Sequence, residues 1–425
     1  MAKVVRQHWT GNLDAGLSRK DRGSGSYEAY VPDRLVGRSI VLDSDTAADV
    51  VDAEVAVHQL DSEANALVET EALSRLLLRA EAIASSRIEG LEIGAQRLLR
   101  AEAARQAEGA SSDVTAVEVL ANIDAMAVAA NAVAPDEPIT EEILLEVHRR
   151  LLAGTNIASH GGELRTVQNW IGGSSYNPCS ADFVPPPPEY VPELIRDLID
   201  FCNSDDLPAV AQAAIAHAQF ETIHPFIDGN GRTGRALIHL ILRRRGVAER
   251  VVAPVSLVLA TWRDSYIEAL TRFRYIGAPE SAEAISGLNI WVARFAAACA
   301  RAVADATVFE SAAADLQRSW RARVAPVRAN SALDLLLGRL VGAPILTTST
   351  AATLIGRSFP ATNAAIERLT EAGILRQVTV GRRNRAFESP EAIAAFTALE
   401  RRLASPQGTR TSDPSRPVPR RAQSR

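Results

Sequence analysis

The chain of 425 residues is short of cysteine, has no long apolar run and carries no large excess of positive charge. Each shortage removes a class of protein. Three cysteines, Cys179, Cys202 and Cys299, are too few and too scattered for a disulfide framework or a zinc site, which suits a reducing compartment. No run of about 18 apolar residues occurs, and the N-terminus MAKVVRQHWTGNLDAG lacks the apolar core of a signal peptide. The expectation is a cytoplasmic protein with no membrane partner. A count of 46 Lys and Arg against 51 Asp and Glu gives a formal net charge of -5, so any DNA contact has to be regional. Hydrophobic residues at 47% and charged residues at 23% are ordinary for a globular chain. One core rarely exceeds roughly 250 to 300 residues, so several packed units are expected.

What is present is mostly helical grammar. Residues 1–26 are polar and glycine-rich and read as a flexible arm. From Ala47 to Ile88 apolar residues recur at helical spacing, and Gly90 is placed to end the run. Two further helices are expected between Val114 and Leu152, the second capped by Thr140 with two glutamates in its first turn. GGELRTVQNWIGGSSYNPCSADFVPPPPEYV then reads as an exposed loop or hairpin, with a short β-type run at Thr166 to Ile171. Helices resume after Glu193, over Ala209 to about Thr222, from about Gly231 to Arg245, and on to about Leu340, with Ser311 to Arg323 as a connecting stretch. Residues 341–400 order themselves as helix, turn, helix, strand and basic turn, the pattern of a winged helix-turn-helix. Residues 401–425 have no apolar periodicity and are expected to be a disordered basic tail.

Between two of these helices lies ETIHPFIDGNGRTGR, residues 221–235. Its GNGRTG fits the loose pattern G-x-G-x-x-G, but an alanine-rich helix precedes it rather than a buried strand, and no Lys-Ser/Thr follows the glycines. Neither a Rossmann fingerprint nor a P-loop is present. A loop running into a helix start is instead an anion site: Gly229 and Gly231 let N–H groups turn inward, and Asn230 can cap. Arg232 and Arg235, three apart, share a helix face and can both reach a polyphosphate. Asp228 sits where it can hold Mg²⁺ bridging phosphate oxygens. His224, with an ordinary pKa of about 6.5, suits a general base aimed at a hydroxyl. Together these describe transfer of a nucleotidyl or phosphoryl group from Mg-NTP to an OH.

HPFIDGNGRTGR resembles the signature of the Fic family, HPFx(D/E)GNGRxxR, at every specified position. The resemblance implies a mainly α fold, a Fic-type helical bundle with a small β-hairpin flap, and transfer of AMP from ATP to a Ser, Thr or Tyr hydroxyl of a protein target or of the chain itself. It makes His224 the base and Asp228 the Mg²⁺ ligand. Asn230 with the glycine amides, Gly234 among them, takes the α-phosphate region, and Arg232 and Arg235 take the outer phosphates. TVQNWIGG…FVPPPPEYV looks like the family flap, which aligns a target peptide by strand addition. On this reading residues 27–110 form a helical N-terminal domain, 111–300 the catalytic core and 301–340 a helical connector.

SSRIEG, residues 85–90, explains a local oddity. A glutamate in the last turn of a helix is opposed by the helix dipole at a cost of roughly 0.3 to 1 kcal/mol unless a cation compensates. The segment resembles the family's inhibitory motif (S/T)xxxE(G/N), with Ser85, Glu89 and Gly90 at the specified positions, and the resemblance pairs Glu89 with Arg235. In some relatives the same glutamate supports removal of AMP, and other relatives transfer UMP, phosphocholine or phosphate; the sequence leaves direction and donor open. His148 and His217 lie among apolar neighbours on helices and read as structural. Arg165 and Trp170 flank the flap as loop packing or substrate contacts, while Tyr266 and Trp291 read as core. The winged segment, with an alanine-rich recognition helix, leaves DNA contact, protein contact and homodimer packing open. A DNA-binding regulator whose core only senses nucleotide is the competing reading, but sensing would not require His224 and Asp228.

Overall fold

The computed structural model describes residues 1–11, 18, 21–64, 70–108, 113–380 and 384–403. In chain order the elements are β1 (Lys3–Trp9), β2 (Gly25–Val31), α1 (Ser44–Ala64), α2 (Thr70–Ile88), α3 (Ala95–Glu108), α4 (Val114–Ala129), α5 (Glu141–Leu152), α6 (Val191–Cys202), α7 (Ala209–Ile223) and α8 (Asn230–Arg244). They continue as α9 (Val255–Thr261), α10 (Arg263–Phe273), α11 (Ala282–Arg323), α12 (Ala332–Arg339), β3 (Ile345–Leu346), α13 (Thr348–Ile355), α14 (Phe359–Glu371), β4 (Arg376–Val380), β5 (Asn384–Glu388) and α15 (Pro390–Leu403). The protein is mainly helical with small antiparallel sheets.

α7 is the axis of the molecule. All of its residues are buried, and its alanines let neighbours approach closely. α8 follows it antiparallel and is buried along nearly its whole length, so the turn joining them is held from below by core on both sides. α11 crosses α7, where the Trp291 indole N–H donates to the Ala214 carbonyl at 2.7 Å. α2 and α4 also pack against α8.

Several expectations are corrected. The expected flexible arm, residues 1–26, contains strand β1, paired with β2 in register from Lys3 opposite Val31 to Trp9 opposite Gly25. The alternation in KVVRQHW supplies the reason, since Val5, Gln7 and Trp9 turn inward, and Trp9 packs edge-on against Trp170 at 5.5 Å between centroids. The remainder of that arm at 12–17 and 19–20 lies outside the described residues. The helical span 47–88 is two helices, α1 and α2, with 65–69 outside the described residues.

The β-hairpin flap narrows to one antiparallel bridge between Ile171 and Phe183. Gly172 and Gly173 take positive φ at the turn, and Pro185 to Pro188 have no N–H to donate, so the ladder cannot extend. No break in secondary structure marks residue 300, because α11 runs unbroken from Ala282 to Arg323. α12 packs on α13 and α14, so the C-terminal unit begins before residue 341. In that unit β3, β5 and β4 form a three-stranded antiparallel sheet. It docks on α3 through Leu99 and Ala103 against Ile345, Val380 and Ala386, with buried Glu388 accepting from Arg100 of α3 at 3.0 Å. The basic turn at 381–383 lies outside the described residues, as does the expected tail from 404 onward; residues 401–403 close α15.

Candidate active site

The site is the turn between α7 and α8. α7 stops at His224, whose backbone adopts the left-handed conformation (φ 51°) and whose N–H still reaches the Phe220 carbonyl at 2.8 Å. That conformation turns the chain sharply and is unusual for a residue other than glycine, asparagine or aspartate. Three side chains hold it. Arg165 donates from Nε to the His224 carbonyl at 2.8 Å, from Nη1 to Val167 at 3.1 Å and from Nη2 to Pro186 at 2.5 Å. Asn169 donates to the carbonyls of His224 and Phe226 at 3.2 and 2.9 Å. His148 of α5 lies stacked on Phe226, ring centroids 3.7 Å apart, with Nε2 3.0 Å from the Asp228 carbonyl. Its Nδ1 accepts the Gly162 N–H at 3.0 Å, so the proton sits on Nε2 and the ring donates to Asp228.

Asn230 closes the turn from inside. Its side chain accepts from the Phe226 N–H at 2.8 Å and donates to the Phe226 carbonyl at 2.9 Å. The capping expected of Asn230 is therefore corrected: Gly229, with φ 75°, occupies the cap position, and the Asn230 amide braces the loop. The glycines divide by what they face. A Cβ on Gly229 would lie 2.8 Å from Leu151, and one on Gly231 would lie 1.9 Å from Glu89 Oε1. Gly234 faces α7, where a Cβ would meet Glu221 and Phe220 at 2.7 and 2.8 Å, so its lack of a side chain allows the two helices to pack closely.

The two arginines do not share a partner. Arg235, 1% exposed, donates from Nε to the Ser85 hydroxyl and from Nη2 to the Ser85 carbonyl, both at 2.8 Å, and to Glu89 Oε1 at 2.7 Å. Burial works to raise the Glu89 pKa, yet the Arg235 charge and hydrogen bond outweigh it and hold the carboxyl below its usual range. Arg235 is in turn held above its ordinary value by Glu89, against the effect of burial. Arg232 is also buried, but Nε and Nη1 have no hydrogen-bond partner, and only Nη2 approaches Asp228 Oδ2, at 3.5 Å. Buried guanidinium donors without acceptors indicate a place for an anion. The Asp228 side chain beside them is exposed.

Burial pulls the His224 pKa down to about 4, so the ring is neutral at physiological pH and able to take a proton. Burial likewise lowers His148 to about 4 and His217 to about 3, and both are structural: His217 Nε2 meets the Tyr266 hydroxyl at 2.9 Å, beside Trp291 in the core. Glu221, pushed up to about 7 by burial, lies behind Gly234 with Oε1 unpartnered. Sequence reasoning missed Asn169, Glu221 and the loop-holding task of His148. Asn169 is 55 residues from the carbonyl it meets and no local pattern marks it; Arg165, a single cation in a Gly- and Pro-rich loop, did leave a signal.

Residues 138–242 match the Fic/DOC family profile, and residues 47–131 match that of the Fic/DOC family N-terminal region. A protein adenylyltransferase of Caenorhabditis elegans, fic-1, is 37% identical over 122 residues, which is 28% of this chain and 22% of that protein. A probable protein adenylyltransferase of Aquifex aeolicus is 30% identical over 166 residues, 37% of this chain and 49% of that protein. The chain thus spans half or less of the length of these curated relatives. The crystal structure of a Fic family protein from Desulfovibrio desulfuricans G20 is similar in fold, with a TM-score of 0.50 at 20% identity over 82% of this chain and 97% of that one. Among the described residues no cluster of three His, Cys, Asp or Glu side chains could hold a metal, and no helix is long and apolar enough to cross a membrane.

Proposed function

We propose that the chain is an autoinhibited protein adenylyltransferase that moves AMP from ATP to a Ser, Thr or Tyr hydroxyl of a protein target or of itself. The observation that carries this reading is the pair of unpartnered Arg232 nitrogens in the first turn of α8, eight residues after a neutral His224 at the left-handed end of α7. In the reaction the acceptor oxygen attacks the α-phosphorus, the bond to the β-phosphate oxygen breaks, pyrophosphate leaves, and His224 takes the hydroxyl proton. Arg232 and the N–H groups at the start of α8 offset the phosphate charge. Asp228 is the residue that would hold Mg²⁺, which when bound neutralises charge on the phosphates. Its exposed carboxylate, next to the anion pocket and with a single long contact to Arg232, fits that task.

Autoinhibition is read from Glu89, which engages the guanidinium that the triphosphate would need and stands against Gly231 at the mouth of the pocket. Replacing Glu89 with glycine frees Arg235, and AMP transfer is expected to rise, whereas His224→Ala abolishes it. Intact-mass spectrometry of Glu89→Gly after incubation with ATP, UTP, GTP or CTP and Mg²⁺ tests both points, since an adduct mass names donor and reaction together. No adduct with any donor, or equal labelling of the two variants, would overturn the reading.

The C-terminal unit, ordered as α12, β3, α13, α14, β4 and β5, is read as a winged helix. A protein contact suits it better than sequence-specific DNA: Asn363 on α14 is tied to Glu367 at 2.8 Å, and Arg368 donates to the Val324 carbonyl at 2.8 Å. These side chains are committed within the protein rather than presented to bases. A shift of duplex DNA that weakens with salt would reverse that preference.

A further inference from the structure

Glu89, the residue just after α2, continues the spacing of two polar side chains on α2, Glu81 and Ser85, four apart, and their counterparts on α8 are spaced four apart as well. Glu81 and Ser85 share one face of α2, with Glu89 in the turn directly beyond its end; Gly231, Arg235 and His239 share one face of α8. The pairing runs in opposite order along the two helices. Glu89 stands against Gly231 and Arg235, Ser85 against Arg235, and Glu81 against His239. The helices are therefore antiparallel along a polar ladder that is buried at Glu81 and Ser85 and open to solvent at Glu89.

The innermost rung takes no part in the proposed transfer. Glu81 is fully buried, with Oε1 3.0 Å from His239 Nε2 and accepting the Ser256 hydroxyl, while Oε2 accepts the Ser256 N–H at 2.7 Å. Ser256 lies in the first turn of α9, so one carboxylate ties three helices together. A buried acid saturated in this way resists displacement, because sliding α2 would strand several polar groups at once in an apolar core. A shift of one residue along a helix is about 1.5 Å, enough to break the contact between Glu89 and Arg235.

We propose that Glu81, His239 and Ser256 are positioning residues for Glu89: they fix the register of α2 on α8 and so keep the Glu89 carboxylate on Arg235. The proposal rests on the autoinhibitory reading of Glu89. It accounts for a buried carboxylate, Glu81, nine residues before the end of the motif, where apolar packing alone would hold two helices together.

The test uses the full chain with Mg²⁺ and labelled ATP, comparing Glu81→Leu and the milder Ser256→Ala with wild type and Glu89→Gly. Hydrogen exchange is followed at the amides of Glu89, Gly90 and Leu91, which bond back to Ser86 and Arg87. Both new variants should raise labelling several-fold toward the level of Glu89→Gly, speed exchange at those three amides, and add nothing in a Glu89→Gly background. If Glu89→Gly activates while Ser256→Ala and Glu81→Leu keep wild-type labelling and exchange, the anchor is refuted and the autoinhibitory reading survives. If Glu89→Gly does not activate, that reading fails, and exchange alone judges the anchor: faster exchange in Ser256→Ala supports it, unchanged exchange overturns it. Should Glu81→Leu fail to fold, Ser256→Ala carries the same comparison.

Discussion

The turn between α7 and α8 has a braced side and an open side, and two buried arginines show the difference. On the flap side, Arg165 places its guanidinium against carbonyls of His224, Val167 and Pro186. On the helix side, Arg232 keeps Nε and Nη1 without acceptors at similar depth. Folding a cation into the interior with its donors unmet is costly, and a chain retains such a group where a ligand completes it. Arg165 thus braces the loop, while Arg232 leaves two buried donors available to an anion.

Substitutions on the two sides should separate accordingly. The largest effect is expected at the residue between them: His224→Asn, which tolerates left-handed backbone, should cut AMP transfer about 10²- to 10⁴-fold in a labelling assay while the melting temperature stays near wild type. On the braced side, Arg165→Met leaves several buried carbonyls unmet at about 1 to 3 kcal/mol each, so the melting temperature should fall by several degrees. On the open side, Arg232→Met should leave the melting temperature unchanged and weaken ATP binding by about 10- to 100-fold, read by calorimetry. A loss of stability at Arg232 equal to that at Arg165 would erase the distinction.

The smallest effect is in pH. His224 and His148 are held near 4 against an ordinary value of about 6.5. Between those values the unfolded chain binds more protons than the folded one, so stability is present above about 6.5 and is lost as pH falls toward 4. Transfer should nonetheless stay level from pH 7 to 5.5, where an ordinary histidine would already be about nine-tenths protonated. A rate profile that falls with an apparent pKa near 6.5 would show His224 in a far wetter setting than the one described.

Much of the helical architecture was legible beforehand. Apolar spacing located α4 to α8, and Thr140 caps α5 as its residue type requires, accepting from the Ile143 N–H at 3.3 Å. Strand β1 was not legible, because KVVRQHW sits beside glycine-rich chain and its partners, β2 and Trp170, lie 16 or more residues away. The flap was overread for the opposite reason: β-type residues at Thr166 to Ile171 favour a strand, while the glycines and prolines around them leave one bridge.

The sequence by itself determined the chemistry available at the turn, because His224, Asp228, the glycines and the arginines are contiguous and a helix–turn–helix brings neighbours in the chain together without help. It also announced Glu89 as an acid at the wrong end of a helix. Only the tertiary structure decided which side chains already have partners: the Asn230 amide bonds to Phe226 and Arg235 to Ser85 and Glu89, while Arg232 Nε and Nη1 have no acceptor. Hydrogen-bond satisfaction depends on partners distant in sequence, up to 150 residues away for Ser85 and Arg235, and local pattern carries no information about them.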